Sequence, residues 1–418
     1  MRVLISGAGI AGPTLAWFLA KTGAHITVVE KAPTLLPHGQ NVDIQGSART
    51  VVDKMGLTEE VRRNNTTEKG TQFIDSYGRP FARMPVNEKA SSASFTSEFE
   101  ILRGDLAKVL YEATRNDTQT KYLFDTTIKR VIANTDESVR VELSSGDVEE
   151  YDLLVAADGQ WSKVRKQVFP SEEIKVRDLG MYAVYYTIPR LPEDNDWWNI
   201  YQALGCRIIT LRPDPHGTIR AMFTRMPCND IQKQAWQKAS RSDRKTQQEL
   251  LRHEFADAGW QARRLLDNMD QAPDWYFQAM QQIKMNKWSK GRVICLGDTA
   301  FAPTPLTGMG TSLAMLGGYL LAGEISKLNT GQPVSNALDE YERIFRPFVE
   351  KICDIPWFVP GIGHPETAFK RAIFRLCIRA VTGIMRTSWI ANRNFDTSND
   401  EDFPLPIYPI FEQGRSKK

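Results

Sequence analysis

Charge imbalance is nearly absent from this chain of 418 residues: 53 basic against 50 acidic residues leave a net charge of +3, too weak a field to select nucleic acid as a partner. Cysteine is scarce. The five (Cys206, Cys228, Cys295, Cys353, Cys377) are odd in number and no two lie closer than 22 residues, which supports neither a disulfide framework nor a zinc site. They read as reduced thiols, and a cytoplasmic setting is expected. The five histidines (His25, His38, His216, His253, His364) show no metal-ligand spacing, so no metal is expected. No uninterrupted apolar stretch reaches the ~18 residues of a spanning helix. The apolar N-terminus has no charged leader ahead of it and is not read as a secretory signal. No internal repeat is found. What is present is 42% hydrophobic and 25% charged, an ordinary globular composition, in a chain longer than one core usually supports. Two interleaved domains follow as the expectation.

The most informative segment is the first. Arg2 to Ser6 is an apolar run too short for a helix, and it leads into Gly7-Ala8-Gly9-Ile10-Ala11-Gly12 and a helical stretch ending near Lys21. Gly7 permits a tight strand-to-helix turn, Gly9 lets backbone approach a pyrophosphate, and Gly12 lets the helix pack on the strand. A second strand, His25 to Val29, ends in Glu30, 18 residues beyond Gly12, where a carboxylate accepts hydrogen bonds from an adenosine ribose. An acid there disfavours a 2'-phosphate, so FAD or NAD fits this site better than NADP.

Further along, Ser47 to Met55 reads as a helix with Ala48, Val51, Val52 and Met55 on one face. Residues 70 to 86 alternate as short strands around a turn at Tyr77-Gly78-Arg79-Pro80, and Glu88 to Ser97 is a polar connection. Ile128 to Asn134 and Ser138 to Leu143 form a hairpin, and Tyr151 to Ala156 reads as a buried parallel strand. Between Asp178 and Arg225 the pattern becomes aromatic and alternating: Met181 to Ile188, Trp198 to Ala203, Arg207 to Leu211 and Thr218 to Thr224 make an inserted antiparallel sheet. A polar helical region covers about Asp230 to Met269, and the buried-strand pattern returns near Arg292. Two domains joined in this way meet at a cleft, a usual place for a ligand.

Two other segments pair a buried strand with a glycine-punctuated turn. Asp152 to Ala157 delivers Asp158-Gly159, with Ser162, Val164 and Arg165 opening a helix. Gly291 to Leu296 delivers Gly297-Asp298, followed by Pro303, Pro305, Gly308, Gly310 and a small-residue helix from Thr311 to about Lys327. Asp298 at a strand end can accept a hydrogen bond from a ribityl hydroxyl. Gly308 and Gly310 free space where a flat ring must approach backbone. Amides at the following helix start would stabilise negative charge on a reduced flavin.

In this order and spacing the three segments resemble the class A flavoprotein monooxygenases, the aromatic-hydroxylase family that includes the tetracycline-inactivating enzymes; the resemblance covers about residues 1 to 350. It implies an α/β fold: a Rossmann-like FAD-binding domain (1–70, 101–177, 286–350), an inserted antiparallel-sheet substrate domain (71–100, 178–285) and a C-terminal helical region and tail (351–418). It implies FAD as cofactor, with NADPH or NADH as a transient reductant lacking a glycine-rich site of its own. One oxygen atom from O2 would pass through a flavin C4a-hydroperoxide to a hydrophobic, ring-bearing small molecule in secondary metabolism or xenobiotic modification. The catalysis is flavin-borne, with no side-chain nucleophile. By the same resemblance Gly7, Gly9, Ala11, Gly12, Glu30 and Lys31 hold the ADP half of FAD, and Asp298 its ribityl and pyrophosphate region. Gly308 and Gly310 back the ring, Arg103 in Ile101-Leu102-Arg103-Gly104-Asp105-Leu106 contacts the cofactor, and Asp158 and Arg165 belong to a segment serving FAD and nicotinamide. Asp43 lies in a loop corresponding to one near the flavin. The chain departs from the commonest pattern at Phe301, where many relatives have His, and at Ser312, a frequent Asn. Epoxidation, Baeyer-Villiger insertion and oxygen-independent flavin reduction are alternatives on the same scaffold.

Substrate recognition falls to the inserted sheet, where Tyr182, Tyr185, Tyr186, Trp197, Trp198, Tyr201, Met222 and Phe223 offer an aromatic wall. Alternation puts Tyr185 on the face opposite Tyr182 and Tyr186, and Tyr185 and Phe223 are the pocket candidates. From Glu366 to Trp389 a basic amphipathic helix is expected. Packing across the two domains is favoured for it over peripheral membrane contact. The tail after Phe395 is expected to be mobile, and the protein to be a monomer or weak dimer.

Overall fold

A computed structural model describes residues 1–36, 39–86, 97–356, 358–386 and 402–412. His38, the connection from Glu88 up to Ser97, the side chains of Ile384 and Met385, and the terminal Arg415-Ser416-Lys417-Lys418 lie outside those residues. The fold is α/β and is organised around two large sheets. The first has six strands in the order Ser289–Lys290, Val293–Cys295, Leu153–Ala156, Arg2–Ser6, His25–Val29, Thr120–Leu123. All its pairings are parallel except that of the short edge strand Ser289–Lys290. Its inner strands Arg2–Ser6, Leu153–Ala156 and Val293–Cys295 are mainly apolar and buried, as expected where helices cover both faces of a parallel sheet. Leu153, Leu154, Val155 and Ala156 are all fully buried.

Helices Ala11–Ala20 and Gly310–Ser326 are apolar nearly all round and buried along most of their lengths. That composition suits a helix enclosed by sheet and neighbouring helices. Helix Val334–Cys353 is amphipathic instead, burying Ala337, Leu338, Tyr341, Phe345 and Val349.

The second sheet has seven strands in the order Tyr276–Met285, Ile174–Pro189, Thr218–Arg225, Arg207–Pro213, Trp198–Ala203, Gly70–Ile74, Pro80–Pro85. It differs from the expected sheet in three ways. Trp198–Ala203 pairs in parallel with Gly70–Ile74, so the sheet is not wholly antiparallel. The strand expected from Met181 begins at Ile174, interrupted by an irregularity between Asp178 and Tyr182. Tyr276–Met285 is an edge strand whose run Met280-Gln281-Gln282-Ile283 lacks clean alternation, which hid it from the sequence pattern. Helices Asp230–Ala239, Arg244–Phe255 and Ala262–Asn268 cover one face, closing a core around Tyr182, Tyr186, Phe223, Trp236 and Phe255.

The C-terminal residues diverge most from expectation. Among the described residues, helix Ala368–Arg386 packs on Phe73, Ala82 and Met84 of the seven-stranded sheet, through Phe374 and Ile378. Residues 402–412, expected to be mobile, are a strap on the first domain. Phe403, Tyr408 and Phe411 are buried. Tyr408 Oη donates to Glu324 Oε1 at 2.7 Å, Tyr319 Oη donates to the Pro406 carbonyl at 2.7 Å, and Phe411 lies 4.9 Å from Phe18. Each such buried aromatic contributes about 1.5–3 kcal/mol, enough to hold a proline-rich segment that has no regular structure of its own before Pro409.

Candidate active site

Register in the first sheet brings three distant segments together. Ser6 pairs with Ala156, and Ala156 with Cys295, so the turns at Gly7, Asp158 and Gly297-Asp298 leave from adjacent carboxyl ends, where ligands bind in open α/β sheets. The approach is tight. A Cβ on Gly7, whose φ is +114°, would stand 2.4 Å from the Ala157 carbonyl oxygen, and one on Gly12 would stand 2.1 Å from the Gly7 carbonyl oxygen. A Cβ on Gly9 would meet only Arg103 Nη2, at 4.0 Å. Gly7 and Gly12 are therefore required by the protein itself, whereas Gly9 keeps space open.

That space belongs to a cavity of about 1420 Å³, larger than the 300–1,000 Å³ typical of one drug-sized ligand. Its walls include Gly7, Gly9, Ala11, Glu30, Lys31, Asp43, Arg103, Asp158, Asp298, Gly308, Gly310 and Tyr185. Three expected residues stand elsewhere. Gly12 packs helix on strand. Arg165 is buried, with Nη1 donating to the Thr299 carbonyl at 2.6 Å and Nη2 to the Gln160 carbonyl at 2.6 Å; it clamps the Asp158 turn to the Asp298 turn and does not reach the cavity. Phe223 is the clearer correction. Tyr185 pairs with Met222 across the strands, while Val184 pairs with Phe223, and directly paired residues share a face. Met222 and Thr224 therefore face the cavity, and Phe223 turns into the helix-covered core, 4.9 Å from Phe255.

The polar groups are arranged for a ligand with many hydroxyls and phosphates. Glu30 Oε2 accepts from the Ala8 amide at 2.9 Å and Oε1 from the Ala32 amide at 3.0 Å, which leaves acceptor positions free on a group that has about four. Among the described residues Asp158 Oδ1 is buried without a partner, while Oδ2 accepts from the Lys163 amide at 3.1 Å. Asp298 has no hydrogen-bond partner there either. Its side chain lines the cavity, where enclosing protein raises its carboxyl pKa and the nearby Arg103 guanidinium opposes that rise. Gly310, at the start of helix Gly310–Ser326, lies beside it, a Cβ there standing 3.8 Å from Asp298 Oδ1, and Gly308 just ahead would meet only Gln45 Nε2 at 3.5 Å. These free acceptors and bare backbone fit FAD.

At the other end the cavity runs under the seven-stranded sheet. Tyr185 and Tyr276 stack there, centroids 4.5 Å apart and planes 11° from parallel. Met181, Ile200, Ile208, Met222 and Met280 add an apolar lining. Arg212 and Arg220 sit directly opposite each other on this face, a like-charge pair that needs compensation. Arg212 forks onto Glu68, bonds Glu100 and lies 4.1 Å over the Trp198 ring. Arg220 Nη1 donates to Thr187 Oγ1 at 2.7 Å and lies 3.3 Å from Asp274 Oδ2. Burial, with Glu100 nearby, lifts Glu68 to about 7 despite Arg212. Burial likewise lifts Asp43 to about 6, against the hydrogen bond its Oδ1 accepts from Ser97 at 2.6 Å. His364 Nδ1 donates to the Pro360 carbonyl at 2.8 Å, since a carbonyl only accepts, so Nε2 accepts from Thr224 at 2.8 Å; burial lowers its pKa to about 4 and keeps the ring neutral.

Tyr276, Arg212 and His364 were not foreseen as cavity residues. Tyr276 sits on the unrecognised edge strand, and the others arrive through long-range pairing that no local spacing reveals. Phe301 packs on Trp288 and Phe345, and the Ser312 hydroxyl accepts from the Gln45 amide at 2.9 Å, fastening the Asp43 loop to the ring-side helix.

A dinucleotide cradle that opens onto a sheet-walled apolar chamber is the architecture of FAD-dependent oxygenases. The FAD binding domain family matches residues 1–355, and the chain belongs to that family as a flavoprotein monooxygenase. It is similar to the flavin-dependent monooxygenase eupH of Phoma sp, at 36% identity over 88% of this chain and 89% of that protein. The FAD-dependent monooxygenase asL6 of Sarocladium schorii is 31% identical over 99% of both. Among solved structures, tetracycline destructase Tet(55) superimposes with a TM-score of 0.74 at 29% identity, over 91% of this chain and 96% of that one.

Proposed function

We propose that this monooxygenase is reduced by NADPH or NADH and inserts one oxygen atom from O2 into a hydrophobic, ring-bearing small molecule, in secondary metabolism or xenobiotic modification. The observation that carries this reading is one continuous cavity with phosphate- and hydroxyl-binding groups at one end and the stacked Tyr185–Tyr276 pair with methionines at the other. FAD, when bound, supplies both the acceptance of hydride and the transfer of oxygen.

The chain's own residues do the rest. Gly7, Gly9 and Ala11 with the amides of helix Ala11–Ala20 take the pyrophosphate, Glu30 and Lys31 the adenosine side, and Asp298 the ribityl chain, with Arg103 and Asp158 beside it. Gly308 and Gly310 would leave room for the ring, and the amino end of helix Gly310–Ser326 would favour negative charge there. Asp43 stands on the same side. Gly12 and Arg165 act as positioning residues, one setting the helix on the strand and the other tying two turns together. Tyr185 and Tyr276 orient a substrate ring while Met181, Met222 and Met280 exclude water. In this reading 1–70, 101–177 and 286–350 serve the cofactor, and 71–100 and 178–285 the substrate.

The test is anaerobic reduction of the flavin-loaded protein by NADPH and by NADH, with and without tetracycline or a fused-ring phenol, followed by admission of oxygen. Ligand-accelerated reduction and a product one oxygen atom heavier are expected. Turnover of the ligand's double bond without oxygen would assign the reductase reading instead, and reduction that no ring-bearing ligand accelerates would overturn the proposal.

A further inference from the structure

Helix Ala368–Arg386 has two apolar sides. The inward one holds Phe374 and Ile378 against the seven-stranded sheet, with Phe374 5.6 Å from Phe73. The outward one carries Phe369, Ile373 and Leu376 at helical spacing, 74%, 47% and 70% exposed. Just upstream, Ile362 in the short helix Val359–Ile362 is 54% exposed. Contiguous exposed apolar surface of this kind marks an interaction site.

Charge selects the partner. The helix carries Lys370, Arg371, Arg375 and Arg379 among its described side chains, and its sequence holds no aspartate or glutamate. Two carboxylates reach the described part of this helix: Glu366, 2.8 Å from Lys370, and Asp75, whose field acts on Arg375. Arg375 and Arg379 lie beside the Phe81 ring at 5.1 and 5.5 Å, along the edge between the inward and outward sides. Pairing this face with the same face of a second copy would set these cations against one another with little acid to answer them. Among the described residues no helix is long and apolar enough to cross a membrane.

We propose that the outward face of this helix docks on an anionic lipid membrane, lying in the plane of the interface. Phe369, Ile373 and Leu376 enter the acyl boundary, and the flanking lysine and arginines meet the headgroups. The surface adjoins the active-site cavity, because His364 on the cavity wall lies just ahead of the helix. A hydrophobic substrate dissolved in the bilayer would thus lie near the cavity.

The test is co-sedimentation of the full chain with phosphatidylcholine vesicles and with vesicles that also contain phosphatidylserine, combined with light scattering in their absence. Binding to the serine-containing vesicles is expected, falling with added salt. Lys370→Gln should weaken it about fivefold, as should Arg379→Gln. The pair Ile373→Asp and Leu376→Asp should abolish it while leaving the circular dichroism and melting temperature unchanged. Wild-type protein that ignores anionic vesicles, or the aspartate pair binding as tightly as wild type, overturns the proposal. So does a dimer that the aspartate pair dissolves, which would give the face to a second copy.

Discussion

Asp298→Ala separates a role in holding FAD from a role in holding the fold. In the structure this carboxylate accepts no hydrogen bond from any described residue, lines the cavity, and has its pKa raised by the protein around it against the pull of Arg103. Deleting it therefore breaks no protein hydrogen bond and removes a carboxylate whose charged form the folded protein disfavours on balance. The sign of the pH effect follows. With a folded-state pKa above the unfolded value, the cofactor-free protein holds the proton longer than the unfolded chain does, and its stability falls as pH rises through that interval. Alanine removes this loss, so the cofactor-free variant should melt at or above the wild-type temperature at neutral pH. The cofactor tells the opposite story. A hydrogen bond to a charged group contributes about 1.5–3 kcal/mol, so losing one from the ribityl chain should weaken FAD about 10- to 150-fold. Titration of deflavinated protein with FAD, followed by quenching of flavin fluorescence, measures this directly. Wild-type affinity in the variant would refute the assignment of Asp298 to the cofactor. A lowered melting temperature without FAD would refute the claim that the carboxylate has no structural work.

Gly9→Ala should fold with unchanged stability, because its methyl meets nothing but the end of Arg103, and should lose FAD affinity. Gly12→Ala should instead cost about 3 kcal/mol or more in urea unfolding, since its methyl would collide with backbone; equal behaviour of the two variants would contradict the division of labour in the glycine loop. Gly323→Ala would put a methyl 2.1 Å from the Tyr408 ring, so it should release the 402–412 strap and cost about 3 kcal/mol through lost burial and the lost bond to Glu324. Limited proteolysis of the C-terminus reads this, and wild-type protection would count against it. Asp43, raised by burial to about 6 from an ordinary 3.8, should make the protein less stable as pH climbs from about 4 to 6, by up to about 3 kcal/mol. In Asp43→Asn that part of the pH profile should flatten, and an identical profile would place the carboxyl in water.

The turns at the proposed cofactor end were legible because most of their requirements are local. Gly12 answers the Gly7 carbonyl five residues before it, and Asp158-Gly159 and Gly297-Asp298 each follow a strand end closely, whereas the close approach of Ala157 to Gly7 is a long-range fact. Parallel strands buried on both faces announce themselves as apolar runs such as Leu153 to Ala156. Arg165 shows where that logic stops. The same segment that marks it out puts its guanidinium on two carbonyls, and a motif does not say whether its arginine touches the ligand or fastens the loops that do.

The substrate end resisted because a sheet's inner wall is decided by register, and register is a property of pairs. Alternation within one strand placed Tyr185 opposite Tyr182 and Tyr186, but it could not say whether Met222 or Phe223 shares its side; only the pairing of Tyr185 with Met222 settles that. Tyr276 needed a further long-range fact, the docking of an edge strand 91 positions downstream beside Tyr185. The strap failed for the opposite reason. Its few residues from Phe403 to Phe411 have little tendency to form structure alone, and they are ordered by a site formed when Gly323 leaves room for Tyr408. A residue chosen for what it omits can be recognised only once its neighbour in space is known.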